Sequence, residues 1–168
     1  MKRVIVALFL CVMLLAALTA VAEGKATKVF ALGTSGYTIE IAESFVEGER
    51  TQEDIEDDMV AYMHSPDTLL DFDVYQFSKE GHPEGLVDFA QQEAEAYKAT
   101  EIALDGEING IAAAWYRAQE EYEEQTYTTL TYVLEDGDQY VEIAFWLDGE
   151  TAEQEAQAII NTLTFTNR

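Results

Sequence analysis

The sequence predicts an α+β domain, in which an antiparallel sheet built from hairpins is packed by two main helices. Most segments with a strand-like alternation of apolar and polar residues occur in neighbouring pairs joined by turn residues. Two other segments, 84–99 and 151–162, instead space their apolar residues as a helix does. Hairpin strands combined with helices near the middle and the end are typical of α+β folds.

The beginning of the chain has the composition of a secretory signal, covering residues 1–22. Lys2 and Arg3 precede an unbroken apolar run, and Ala20 and Ala22 have the small-residue spacing that a signal peptidase accepts. We therefore expect cleavage after Ala22 and an extracytoplasmic location, either secreted or in the cell envelope. The alternative is an uncleaved N-terminal membrane anchor, because the apolar stretch is nearly long enough to span a bilayer.

The remainder is predicted to be one acidic domain without cysteine. Residues 23–36 have the composition of a linker with a short strand, and 37–168 have the length of a single α+β domain. Cys11, the only cysteine, lies in the signal segment, so the mature chain has no thiol for catalysis, disulfides or thiolate zinc sites.

The charge of the mature chain restricts its partners. Lys2 and Arg3 are two of the nine cations and none of the 33 acids precedes residue 23, so the formal charge changes from −24 to −26 on cleavage. Such a charge excludes nucleic acid and anionic membrane surfaces as partners, and it favours cations and basic partners.

The first half of the domain is predicted to contain a short helix and a hairpin. Strands are expected at 37–41, 59–64 and 70–77. Thr51 and Asp54 have the spacing of a capping box, with Asp in the usual place of Glu or Gln, so an acidic helical turn is expected over 52–58. Residues 65–68 have turn composition and join the last two strands as a hairpin.

The second half is dominated by strands that end at turn residues. Strands are predicted at 101–104, 111–119 and 126–135, with a short final strand at 164–166. Asp105-Gly106 is expected to end the first of these, and residues 120–124 are expected to form an acidic loop. Asn109-Gly110 is a further turn signal.

Asp136-Gly137 is the strongest hairpin signal in the sequence. With these two residues as the turn, the predicted cross-strand pairs are Leu134/Gln139, Tyr132/Val141 and Leu130/Ile143. The face predicted to join the core carries Leu130, Tyr132, Val141, Ile143, Phe145 and Leu147.

Each main helix is predicted from an apolar stripe. The stripe of the first consists of Leu86, Phe89, Ala90, Ala94 and Tyr97. The stripe of the second consists of Ala152, Ala156, Ile159, Ile160 and Leu163. Thr151 is the expected N-cap of the second helix, because Gln154 follows it at capping-box spacing.

Residues 37–45, residues 140–145 with the helix that follows them, and residues 159–165 together form a recognisable layout. It resembles the fold superfamily shared by PsbP, the extrinsic subunit of photosystem II, and Ran-binding Mog proteins; small exported bacterial proteins of uncharacterised function look similar. Ala42 and Phe45 stand where that family tends to have proline and tryptophan. The resemblance implies a binding or assembly module rather than an enzyme, and it implies no site residues.

Four aspartates are candidate metal ligands. Asp54 and Asp57 lie in the densest acidic run, and Asp71 and Asp73 alternate onto one side of a predicted strand. Carboxylate oxygens are the ligands that calcium prefers, so weak divalent-cation binding is one hypothesis. The competing explanation is a solvated acidic surface, because the run lacks the spacing of an EF-hand loop.

A catalytic function is the alternative to binding that the fewest sequence motifs support. Asp71 and Asp73, or one of the two histidines, His64 and His82, are the groups that a small hydrolase or isomerase would use as acid or base. The sequence has no nucleophile elbow, phosphate loop or dinucleotide fingerprint, and no cofactor is expected.

Aromatic residues provide the candidate partner surface: Trp115, Tyr127, Tyr140 and Trp146. In the predicted register the last three point away from the core face, and exposed aromatic side chains are typical of binding surfaces. A covering helix is the competing explanation. The leading hypothesis is therefore a non-enzymatic extracytoplasmic binding or interaction module, whose partner is an unknown protein or small ligand.

Overall fold

The computed structural model describes residues 26–68, 70–82, 84–122 and 125–166. The predicted signal segment lies outside the described residues. The described strands are β1 (Thr27–Ala31), β2 (Tyr37–Ala42), β3 (Val46–Glu47), β4 (Met59–His64), β5 (Leu70–Ser78), β6 (Glu101–Ile108), β7 (Ile111–Tyr122), β8 (Gln125–Asp136), β9 (Gln139–Leu147) and β10 (Thr164–Phe165). The described helices are α1 (Gln52–Glu56), α2 (Leu86–Ala96) and α3 (Glu150–Ile160). None of these helices combines the length and the apolar character needed to cross a bilayer.

A seven-stranded sheet forms the centre of the fold, in the order β3-β4-β5-β9-β8-β7-β6, and all of its pairs are antiparallel. Side chains alternate between its two faces. We call the face that carries Phe72, Leu134 and Ile143 the inner face, and the opposite one the outer face. The α+β prediction is confirmed.

The inner face is covered by a second sheet and by α3. Strands β1, β2 and β10 form a three-stranded antiparallel sheet. Ile39 and Ile41 from that sheet, Ile160 from α3 and Phe145 from β9 belong to one buried cluster. This cluster is the main core, and apolar burial here contributes most of the stabilisation.

The outer face is covered by α2 over part of its area. Phe89, Ala90 and Ala94 of the helix form a second buried cluster with Val133 and Tyr140 of the sheet. The central strands therefore bury both of their faces where α2 covers them.

The β8–β9 hairpin has the predicted faces but a different register. Gly137 and Asp138 form the turn, with Gly137 at φ 61°, and Asp136 pairs with Gln139. The observed pairs are Leu134/Val141, Tyr132/Ile143 and Leu130/Phe145. The predicted pairing is therefore wrong by two residues. A shift of two leaves each side chain on its own face, so all six predicted core residues are buried.

Two predicted chain breaks are strand instead. Residues 120–124 were expected to form a loop, but β7 continues to Tyr122, which pairs with Gln125. The expected stop at Asp105-Gly106 is an irregularity inside β6, between Ala103 and Gly106. Gly106 suits this position because an added Cβ would lie 3.1 Å from the carbonyl oxygen of Ala113.

The helix ends confirm one predicted cap and correct another. The Thr51 capping box is present, with Thr51 and Asp54 bonding each other's backbone N–H groups. Thr151 is not the N-cap of α3. Gly149 occupies that position at φ 87°, a conformation that glycine adopts without strain, and the helix therefore begins at Glu150.

Helix α2 ends before the predicted residue 99 because its last turn closes as a Schellman motif. The Ala99 N–H donates to the Ala94 carbonyl at 2.8 Å, and the Lys98 N–H donates to the Glu95 carbonyl at 3.1 Å. Lys98 must then adopt φ 54°, which glycine usually occupies.

Lys98→Gly is expected to make the protein more stable than Lys98→Ala by about 0.5–1 kcal/mol, because only glycine adopts this backbone conformation without strain from a Cβ. Both variants remove the same charge, so their difference isolates the backbone conformation. Urea unfolding of the two variants measures it. Equal midpoints and slopes would contradict the prediction.

Candidate functional site

The candidate site is a hollow of about 350 Å³ on the outer face, which we call the acidic hollow. Its lining residues come from α1 and the turn after it, from β5 and β9, and from α2 and the segments that flank it: Asp54, Glu56, Asp57, Asp58, Met59, Tyr75, Phe77, His82, Glu93, Tyr97 and Glu142. Six of these residues are acids, and none is lysine or arginine. A hollow with this lining favours positively charged groups.

Glu142 is the buried carboxyl group of the hollow. It lies on β9 opposite Tyr75 of β5, and only 3% of the residue is exposed. The Tyr116 hydroxyl donates to its Oε1 at 3.0 Å, whereas the buried Oε2 has no hydrogen-bond partner among the described residues. Burial, together with the charge of Glu93, raises the pKa of Glu142 to about 8.

Asp73 is a second buried carboxyl group, on the strand next to Glu142. It pairs with Ala144, so it is the diagonal neighbour of Glu142 on the outer face. The indole Nε1 of Trp146 donates to Asp73 Oδ2 at 2.6 Å. Burial raises the pKa of Asp73 to about 7 despite that hydrogen bond, and the charge of Asp71 adds to the effect.

Two half-buried glutamates extend this set of acids. Burial raises the pKa of Glu93 on α2 and of Glu120 on β7. The charge of Glu120 also raises the pKa values of Asp73 and Glu142.

No ion pair with lysine or arginine reaches these four acids within the described residues. Arg117 pairs with Glu153 and Glu101, and Lys79 pairs with Glu135. Burying a carboxylate without a counter-charge is costly, so an empty hollow favours the protonated forms of Glu142 and Glu93, which line it, and a bound cation would favour their ionised forms.

Tyrosine rings form the walls of the hollow. Tyr75 stacks beside Phe77 at 6.1 Å, and Tyr97 stacks on Tyr116 at 6.0 Å between ring centroids. Burial raises the pKa values of Tyr75 and Tyr97, so both hydroxyls remain protonated near neutral pH. Aromatic faces beside carboxyl groups are an arrangement that recognises ammonium groups.

The predicted aromatic surface is divided by the fold. Tyr140 is fully buried and stacks on Phe89 of α2 at 4.3 Å. Trp146 and Tyr127 are half-buried and meet edge to face at 6.0 Å on the part of the outer face that α2 leaves uncovered. Trp115 lies on the inner face opposite Tyr132, in a hollow beside α3. A partner surface shared by all four would have to include both faces of the sheet.

The four predicted metal-ligating aspartates differ in their contacts. Asp54 caps α1 and lines the acidic hollow together with Asp57. Asp71 accepts a hydrogen bond from the Tyr62 hydroxyl at 3.0 Å, and Asp73 accepts one from Trp146. Within the part of the chain that the structure describes, no three His, Cys, Asp or Glu side chains converge as metal ligands would. Divalent-cation binding stays a prediction.

The two histidines line different depressions. His82 borders the acidic hollow, 3.5 Å from Glu84. His64 borders an open depression with Asp71 and Tyr127. Neither histidine is hydrogen-bonded to Asp71 or Asp73 among the described residues, although His64 lies opposite Asp71 in the β4–β5 pairing. Catalysis by these groups stays a prediction.

Sequence reasoning missed Glu142, Glu93 and Glu120. Glu142 carried a usable signal, because it is the only charged residue in Gln139–Leu147. Its position in the alternation also matches Tyr140 and Trp146, which the sequence placed away from the core face. Glu120 was hidden inside the segment predicted to be a loop.

No protein-family model matches this sequence, and no curated protein matches it either. Solved structures do share its fold. Cyanobacterial PsbP (CyanoP) from Synechocystis sp. PCC 6803 superposes with a TM-score of 0.60 at 7% identity, covering 85% of this chain and 94% of that one. LpqN of Mycobacterium tuberculosis, described as involved in cell envelope biogenesis, gives 0.50 at 10% identity, covering 87% and 94%.

A Bacteroides thetaiotaomicron protein gives a TM-score of 0.55 at 17% identity over 86% of this chain. The match covers 49% of that protein, so this chain spans about half of its length. The PsbP-like fold expected from the sequence is thus confirmed. At sequence identities this low, the similarity is one of fold alone.

Glu142→Gln is expected to remove a loss of stability at high pH. The pKa of Glu142 is about 8 in the folded state and near 4.5 when unfolded, so the unfolded chain releases this proton first as the pH rises. The contribution of Glu142 to stability is therefore complete below about pH 4.5 and declines up to about pH 8. The variant should exceed the wild type by up to ~5 kcal/mol at pH 9 and by little at pH 5.

Urea unfolding at both pH values measures this difference, and Glu47→Gln at an exposed position of β3 is the control. Stability curves of wild type and Glu142→Gln that stay parallel from pH 5 to pH 9 would contradict the prediction.

Proposed function

We propose that this protein is a non-enzymatic, extracytoplasmic binding module whose acidic hollow binds a cationic group of its ligand. The predicted secretory signal supports the location. The PsbP-like fold supports it too, since LpqN, which shares the fold, is involved in cell envelope biogenesis. The ligand site rests on the contacts within the hollow.

The single observation that carries the proposal is the unpartnered Oε2 of Glu142. A buried polar atom without a partner costs about 1–3 kcal/mol, and more when it is charged. A ligand ammonium or guanidinium group would supply the missing donor, and the ionised carboxylate would then be paired. The hollow gains a favourable contact only when such a ligand is present.

The surroundings of Glu142 are suited to the same group. Glu93 faces it closely enough to raise its pKa, and the rings of Tyr75 and Tyr97 stand at the sides. Two carboxyl groups and two aromatic faces supply ion-pair and cation–π contacts to one ammonium. The acidic surface around the hollow attracts cations toward it.

The same contacts support binding rather than catalysis. Burial raises the pKa values of Tyr75 and Tyr97, which makes both hydroxyls poor bases and poor nucleophiles. Glu142 Oε1 accepts a hydrogen bond from the Tyr116 hydroxyl, and burial raises the pKa of Tyr116 as well, so this hydroxyl also stays protonated near neutral pH.

Titration with n-butylamine, followed by calorimetry at fixed ionic strength, tests the proposal. The amine is expected to bind more tightly at pH 8.5 than at pH 6.5 by roughly 25-fold, because a carboxyl group with a pKa of about 8 is about three-quarters ionised at pH 8.5 and only about 3% ionised at pH 6.5. His82 also lines the hollow, so His82→Gln separates its contribution to the pH dependence.

Glu142→Gln should abolish the binding, while Glu47→Gln, which removes the same charge at an exposed position, should leave it unchanged. The proposal would be refuted if n-butylamine showed no saturable binding at both pH values, or if its binding survived the Glu142→Gln substitution.

A further inference from the structure

The acids of the hollow lie at two depths. Glu142 is buried and Glu93 is half-buried, and together they form the inner pair. Asp57 and Asp58, in the turn that follows α1, are exposed and form part of the rim. Acids alone do not make a binding site, but here the inner pair includes the buried Oε2 of Glu142, which has no partner.

The rim is held in place by backbone contacts. The capping box begins α1 at Thr51, and the Asp57 N–H closes its end on the Glu53 carbonyl. The Asp58 carbonyl then accepts a hydrogen bond from the Gln76 N–H at 3.0 Å, which ties this turn to β5. The rim acids therefore keep a set position relative to the inner pair.

Aromatic side chains line the same hollow as these acids. Tyr75, Phe77 and Tyr97 line the hollow. Burial raises the pKa of Tyr97, and the charges of Glu142, Glu93 and Asp57 add to it, so this ring is close to acids of both depths. The lining of the hollow therefore combines carboxyl groups at two depths with aromatic rings.

From this combination we infer that the ligand is an aliphatic diamine or polyamine. One ammonium lies between Glu142 and Glu93, the methylene chain lies along the aromatic rings, and a second ammonium lies at Asp57 and Asp58. The inference rests on the proposed function, and it adds the class of ligand.

The alternatives match the lining less completely. A single ammonium, such as a lysine side chain of a partner protein, leaves the rim acids without a counter-charge. A divalent metal ion requires several converging oxygen ligands, and the described residues offer no such group of three. Only a cation with two separated charges would contact both the inner pair and the rim acids.

Calorimetric titration of the mature chain at pH 8.5 with 1,4-diaminobutane, spermidine and n-butylamine tests the inference, with ionic strength held constant. The diamine is expected to bind about twofold to fivefold more tightly than the monoamine, because it gains one exposed ion pair. A series of diamines with three to eight methylene groups should show an optimum that measures the spacing between the inner pair and the rim.

Two double variants test whether the rim acids contribute to diamine binding. Asp57→Asn/Asp58→Asn should lower the affinity for the diamine to that for n-butylamine and leave n-butylamine unchanged. Asparagine tolerates the left-handed conformation of Asp58, at φ 64°, so the turn is preserved. Glu47→Gln/Glu49→Gln removes the same charge at exposed positions outside the hollow and should change neither affinity.

The outcomes distinguish this inference from the proposed function. Equal affinities for the diamine and n-butylamine, both lost in Glu142→Gln, would overturn the inference and leave the cation site intact. Equal weakening of diamine binding by the two double variants would show attraction to net charge and would also overturn it. Binding of calcium but of no amine would overturn both proposals.

Discussion

The burial of β9 on both faces is the constraint on which the rest of the structure depends. The strand pairs with β5 on one side and β8 on the other, so all of its neighbours lie in the middle of the sheet. Val141, Ile143, Phe145 and Leu147 enter the main core. The intervening residues must then occupy the outer face, and this places Glu142 under α2 and the acidic hollow. An apolar residue at 142 would satisfy the packing, so the fold alone does not account for the glutamate.

The cost of burying Glu142 explains the electrostatic character of the site. Four acids share the outer face without a described lysine or arginine partner, and burial raises the pKa of each. At neutral pH the folded protein therefore holds protons on Glu142 and Asp73 that the unfolded chain has already released near pH 4. In the function proposed above, a ligand cation would take the place of the proton on Glu142, which would link ligand binding to pH.

The fold and the site are separable properties of this chain. The PsbP-like architecture recurs in structures of 7–17% identity, because the alternating pattern of buried side chains can be met by many sequences. The hollow depends on particular side chains instead: a glutamate at 142, a tyrosine at 116 that satisfies one of its oxygens, and a helix that brings Glu93 over the sheet.

Local patterns in the sequence determined the elements and their faces, because the alternation of strands and the capping of α1 are set by near neighbours. Leu130 and Ile143 were placed in the core even though their predicted pairing was wrong, since a two-residue shift preserves the face. Tertiary structure alone decided which acids are buried. Glu142, Glu93 and Asp73 come together through the β5–β9 pairing and the docking of α2, and no local pattern reports contacts between segments so far apart in the chain.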